Sequence, residues 1–308
     1  MNKLHALFPA SGWIRAYSKS DCLKDLIAAF IVTVLLIPQS LAYAMLAGLP
    51  AEVGLYASIL PLVVYAIYGS SRTLSVGPVA VVSLMTATIL GDVAAQGSAS
   101  YLTGAMTLAL LSGIFMLVLG VFKMGFITHF LSHPVIYGFI SASAALIALS
   151  QVKHLMGIEA HGDTLITIVP SLINGVNHIN AKALFIGLLV IFLLLVNKRF
   201  TTSLLIFLGM HKNYAAMAAK IFPIAAIILS ILVVFVFNLE QSNVAVTGHI
   251  PSGLPSFGLS IPSFELIKQL AIPAALISMI GYIESISVGK TLAAKKCQKV
   301  DANQELIG

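Results

Sequence analysis

Eight long apolar blocks constrain this chain more than any other feature of its sequence. They run 26–47, 53–70, 74–91, 101–122, 124–150, 183–197, 221–239 and 269–289. Most approach the roughly 20 residues that a helix needs to cross a bilayer core of about 30 Å. Inside lipid the backbone has no water to bond to, so a spanning block must satisfy its own N–H and C=O groups, as a helix does. The charged fraction is 9% and the hydrophobic fraction 59%, whereas a soluble domain carries about 25% charged residues. A soluble core could not absorb this much apolar sequence. The reading is an all-α polytopic membrane protein, with residues 1–25 as a cytoplasmic N-terminal segment and 26–308 as a transmembrane domain of about eight spans. The sixth block is short and its ends are the least defined.

Lysine and arginine placement orients the chain. With a cytoplasmic N-terminus and eight alternating spans, fourteen of the seventeen Lys and Arg fall on the cytoplasmic side. Lys153, Lys182 and Lys268 remain outside. The net charge of +6 is thus a positive-inside signature with scope for anionic lipid, and calls for no nucleic-acid partner. The first block is not a cleavable signal peptide, because a charged segment precedes it and a second span follows at once. The expected location is the cell inner (plasma) membrane, multi-pass. Cys22 and Cys297 form no CxxC and both fall on the reducing side. The longest non-spanning stretches are about 151–182 and 240–268; the second, rich in Pro, Gly and Ser, reads as an outer loop or extended segment.

The third block, SRTLSVGPVAVVSLMTATILGD, is broken early by Gly77-Pro78. Proline suits the first turn of a helix, so the spacing predicts an extended piece from Thr73 to Val76 and a helix from Pro78 to about Leu90. At ~1.5 Å per residue that helix is roughly 20 Å long, too short to span. Its start would lie inside the membrane, with free N–H groups and a partial positive charge suited to an anion. A plain Gly-Pro kink rescued by neighbouring helices fits the same residues. The first block holds Pro38, Gln39, Ser40 and Tyr43. Gln39 and Tyr43 are four apart and share a helix face; they could bind a solute or bond a neighbouring helix.

Glu284 is the one formal charge between Lys268 and Lys290. A carboxylate in such a segment is costly to bury and usually faces a cavity or a partner. The competing reading is that it snorkels to the basic edge. His129 and His133 are four apart, but interfacial placement near Lys123 explains them better than a metal site. Gly104 and Gly113, with Ala105 and Ala109, suggest close helix packing in the fourth span. No nucleophile motif, phosphate loop or haem ligand pair is present, so neither an enzyme nor a cofactor is expected.

The stretches IPQSLAYAMLAGLPAEVGLYASILPLVVYAIYGSSRTLSVGPVAVVSLM (37–85), ALISMIGYIESISVGK (275–290) and ANQELIG (302–308) carry a resemblance to the sulfate permease (SulP, or SLC26-like) family of anion transporters. Span order and spacing agree over nearly the whole chain. The resemblance implies two inverted repeats of seven spans, divided into a core and a gate that work as an elevator. The chain would supply the first repeat and the eighth span. The resemblance also implies an anion between the half-helices of the third and tenth spans. It places Gln39, Tyr43, Gly77, Pro78, Val79 and Ala80 at the substrate and Glu284 at the family's acidic position. Val288, one turn later, stands where sodium-coupled bicarbonate members carry a hydroxyl. Valine offers sodium no oxygen, whereas a desolvated Glu suits proton symport. The implied function is secondary transport of an inorganic anion, sulfate first, coupled to a proton, in a homodimer when full-length. Bicarbonate, chloride or dicarboxylate transport or exchange, or an anion channel, is the alternative. The chain stops at Gly308, where a ninth span is expected, so the tenth-span half-helix and a cytoplasmic STAS domain are expected to be absent and the chain inactive alone.

Overall fold

The computed structural model describes residues 8–14, 17–129, 133–158, 160, 165–242, 244–246, 253, 262–296 and 298–308. Every regular element among them is helical. The chain begins with a short helix α1 (Ala10–Ile14), then α2 (Lys19–Leu46), α3 (Ala51–Tyr68), α4 (Ala80–Gly91) and α5 (Ala99–Val121). A 3₁₀ turn, Met124–His129, leads to α6 (His133–Met156), and α7 (Leu165–Gly175) follows. Next come α8 (Ala181–Val196), one π-helical turn Asn197–Thr201, α9 (Thr202–Phe207), α10 (Lys212–Val236) and α11 (Phe264–Lys295).

Each of the eight apolar blocks contains helix among the described residues, though the third is helical only from Ala80. Five are long and apolar enough to cross a membrane: α2, α3, α5, the continuous Ala181–Phe207 run, and α11. The apolar parts of α4, α6 and α10 are shorter. Phe30, Phe185, Phe192, Phe235 and Ile272 stand well exposed on their helices. So much exposed apolar surface belongs to a lipid-facing protein rather than a water-facing one. The chain is therefore a multi-pass, all-helical membrane protein.

Several boundaries depart from the sequence reading. The fifth span starts after a 3₁₀ turn and runs on to Met156. His129 and His133 consequently lie on two different elements instead of one helix face. The sixth span is longer than its block, because a π-turn carries the helix past Val196 to Phe207. The eighth span starts at Phe264, capped by the Ser263 hydroxyl. Much of the Pro/Gly/Ser-rich stretch before it, 247–252 and 254–261, lies outside the described residues, as does Cys297. The stretch 151–182 also contains a helix, α7, with Ile168 and Leu172 four apart on its buried side.

The chain divides into two compact units. One comprises 1–25, 36–139 and 250–308; the other comprises 26–35 and 140–249. The second unit is centred on Ile158, Ala160, Ile168 and Leu172. Asn180 caps α8 through Oδ1, which accepts from the Lys182 and Ala183 N–H groups.

The first unit holds α3, α4, α5, α11 and the part of α2 from Leu36 onward. Its upper core is Leu90, Tyr101, Leu108, Leu270, Ala274 and Ile277. Here α5 and α11 exchange hydrogen bonds: Ser278 Oγ donates to the Ser112 carbonyl (3.0 Å) and Ser112 Oγ to the Ala274 carbonyl (3.3 Å). Small hydroxyl residues let the two backbones come close, the usual device where lipid supplies no hydrophobic drive between helices. Of the two glycines expected to pack the fourth span, Gly104 meets Leu90, but a side chain at Gly113 would meet nothing within 4 Å. At the α2–α3 crossing Ser40 is fully buried and shares a 2.6 Å hydrogen bond with Ser58. Gly54 sits so close to the Ser40 carbonyl that a Cβ there would collide with it.

Candidate functional site

The broken third span is present. Residues 69–79 are non-helical, and α4 occupies Ala80–Gly91. Its 12 residues reach about 18 Å, short of the roughly 30 Å core. The start lies two residues later than the sequence suggested. Pro78 precedes the cap instead of opening the helix, because the β-branched Val79 takes the extended N-cap conformation (φ −123°, ψ 136°). The first intrahelical bond runs from Ser83 N–H to the Val79 carbonyl (2.9 Å). Val79 has no side-chain oxygen to cap the turn. The N–H groups of Ala80, Val81 and Val82 are therefore the ones left without a helical acceptor, and they carry the positive end of the helix dipole.

The neighbouring α11 brings the acid to the same level. The two helices run antiparallel. A Cβ on Gly281 would stand 3.9 Å from Val82 Cγ2, and one on Gly289 would stand 3.9 Å from Leu74 Cδ2. Glu284 lies between these two contacts on α11, so it is level with Val79 and Ala80, which lie between Val82 and Leu74. It is three residues from Gly281, on the same helix face. Its Oε2 is shielded from solvent and finds no hydrogen-bond partner among the described residues. A buried, unpaired carboxyl oxygen is uncommon and calls for an explanation. Val288 is exposed.

The other expected site residues belong to the same unit. Gln39 and Tyr43 lie one turn apart on α2, which runs as a helix through Pro38. Gln39 is exposed, whereas Tyr43 is half-buried. Gly77, Pro78 and Val79 are half-buried and Ala80 is buried. A Cβ on Gly77 would stand 3.3 Å from Leu36 Cδ1, which ties the extended stretch to α2.

Sequence reading missed a second polar cluster, around Glu305. This residue is 3% exposed. Its Oε2 accepts from the Tyr65 hydroxyl (2.8 Å), and its Oε1 accepts from Ser70 N–H (2.9 Å) and Ser70 Oγ (2.6 Å). Gln304 Nε2 donates to the Tyr68 carbonyl (2.6 Å), one of the orphan carbonyls at the end of α3. Asn303 Oδ1 accepts from Gly125 N–H (2.9 Å), and the Tyr282 hydroxyl donates to the Ala302 carbonyl (2.8 Å). Side chains at Gly69, Gly120 or Gly125 would strike this assembly. The signal was in view, in the run ANQELIG. An acid beside a basic stretch, however, reads as surface until its partners, 235 and 240 residues away, are known.

The sequence profile of the sulfate permease family matches residues 22–308. The chain belongs to the sulfate permease family. Among family members it is 39% identical over 308 residues to sulfate transporter 4.1, chloroplastic, of Arabidopsis thaliana, covering 99% of this chain and 43% of that protein. It is 34% identical to the probable sulfate transporter Rv1739c of Mycobacterium tuberculosis over 96% of this chain and 51% of that one. The fold matches a structure of the murine anion transporter Slc26a9 in the inward-facing state, with a TM-score of 0.82 at 25% identity, covering all of this chain and 52% of that one. The chain spans about half the length of these relatives.

Proposed function

We propose that this chain forms the part of a proton-coupled sulfate transporter in which the third-span half-helix binds the anion and Glu284 carries the coupling proton. One observation supports this most: the start of α4, where Val79 makes no side-chain cap, lies level with a carboxyl oxygen that has no partner among the described residues. The N–H groups of the first turn suit the oxygens of a tetrahedral dianion. Gln39 and Tyr43 add hydrogen-bond donors from α2. Sulfate only accepts hydrogen bonds at neutral pH. It can share a site with Glu284 when the acid is protonated and donates, but it is repelled when the acid is ionised. Taking up a proton with the anion removes that repulsion and offsets the cost of a charge in the membrane. The division into two compact units suits an elevator-like mechanism in which a core moves against a gate. The setting is a homodimer in the plasma membrane with a cytoplasmic N-terminus. The relatives named as sulfate transporters favour sulfate over the other anions.

Bicarbonate is the second reading. Its hydroxyl can donate to an ionised Glu284, so its uptake needs no proton there. Uptake by the native full-length protein in proteoliposomes, measured against external pH, separates the two. Sulfate uptake is expected to rise with external acid. Glu284→Gln, which mimics the protonated acid, is expected to retain anion binding and lose the acid acceleration. Identical pH profiles for wild type and variant would remove Glu284 from the coupling.

A further inference from the structure

We propose that Glu305 is a positioning residue for the anion site, acting through Ser70 on the extended stretch that leads into α4. The part that concerns the anion rests on the site reading above.

The three donors converge on Glu305 from two successive parts of the chain. Tyr65 belongs to the last turn of α3; Ser70 is the second residue after that helix. Both oxygens of the carboxylate are used, and Oε1 is used twice. Such charge-assisted bonds are short and directional. The Ser70 hydroxyl also accepts from Asp301 N–H (3.0 Å), so the serine is gripped from both sides by the 301–305 segment. Ser70 is thereby fixed at the point where the helix ends and the non-helical run begins.

That run ends at Val79, the cap of α4. Val79 makes no side-chain cap on α4, so the aim of its first turn depends on how the run is held. The run is held at intervals. Ser71 Oγ accepts from Leu74 N–H (3.2 Å). Leu74 and Val300 both face Gly289 of α11, where a Cβ would stand within 4 Å of each. Val300 is five residues before Glu305, so the segment that grips Ser70 and the run at Leu74 seat on the same glycine of α11. Glycines permit this seating: a Cβ on Gly308 would stand 2.7 Å from the Gly69 backbone, and one on Gly120 would strike Ile307. The carboxylate therefore sits where a small shift of Ser70 would be carried along the run to the N–H groups of Ala80, Val81 and Val82.

Glu305→Gln keeps the size but turns one oxygen into an NH₂ group, which cannot accept. Whichever way the amide turns, Tyr65 or Ser70 loses its acceptor. Ser70→Ala removes the Oγ contacts and leaves the carboxylate in place, so it tests the same link if the Gln variant folds poorly. A cysteine reporter at the exposed Ser75, in a background with Cys22 and Cys297 replaced by serine, reads the order of the run without any substrate. In the native full-length protein, both variants are expected to speed thiol modification of that reporter several-fold. Both are also expected to raise the half-saturation concentration for sulfate several-fold while changing the maximal rate little, and Glu305→Asp is expected to recover part of each. An unchanged modification rate in both variants overturns the proposal. Faster modification with unchanged half-saturation overturns it as well, and in that case the fault lies with the anion site at α4. A purely structural role would lower the amount of folded protein and the maximal rate together, with half-saturation and reporter unmoved.

Discussion

Val79 decides the chemistry of the third span more than the proline beside it. It holds the N-cap position in an extended conformation and supplies no oxygen to the turn. An aspartate there would accept from the first-turn N–H groups, as N-cap acids do, with a gain of about 1 kcal/mol over a non-capping residue. It would also put a negative charge where the anion is proposed to bind. Val79→Asp is therefore expected to leave the melting temperature unchanged or raised while sulfate uptake falls more than about tenfold, equivalent to some 1.4 kcal/mol. Val79→Asn caps without the charge and is expected to lose less uptake. Melting curves and uptake assays on the same preparations check both signs. A variant that loses stability and uptake in parallel would mean that Val79 acts through packing alone.

At the scale of elements, the packing of the first unit depends on a few small residues whose sequence signature is ambiguous. Gly54 and Gly113 are both helical glycines in apolar spans, yet their surroundings differ. A Cβ at Gly54 would meet the Ser40 carbonyl, next to the buried Ser40–Ser58 hydrogen bond. Gly54→Ala is expected to push α2 and α3 apart and cost about 1–3 kcal/mol, as overpacked cores do. Gly113 opens onto free space, so Gly113→Ala is expected to be neutral or stabilising by up to about 1 kcal/mol through helix propensity. Thermal unfolding of the purified protein in detergent distinguishes them. Equal shifts for the two would contradict the close α2–α3 crossing. The same ambiguity explains why the fourth-span glycines were only half legible: spacing reveals a small residue but not the helix that approaches it.

For the whole molecule, each of the eight apolar blocks carries helix among the described residues, and the positive-inside count predicts a direction for them. Asn177, exposed after α7, and Lys212, at the start of α10, are expected on opposite sides of the membrane. A thiol probe that cannot cross the bilayer is expected to modify Asn177→Cys from outside in intact cells, and Lys212→Cys only after the inner face is opened. The reverse pattern would invert the topology.

The sequence by itself determined the class, the spans and the break at the third one. Long apolar runs, basic flanks and a Gly-Pro pair act through local rules: backbone bonds must be satisfied in lipid, and a proline ring cannot continue a helix. It also singled out Glu284, because an isolated acid in an apolar helix stands out without any knowledge of its neighbours. Only the tertiary structure decided that α4 starts at Ala80, that Glu284 lies level with that start, and that Glu305 has three donors. Each of these depends on which residues meet across the fold. Leu74 and Gly289, or Ser70 and Glu305, are more than two hundred residues apart in the chain and meet only when the first unit is folded, a pairing that no local pattern encodes.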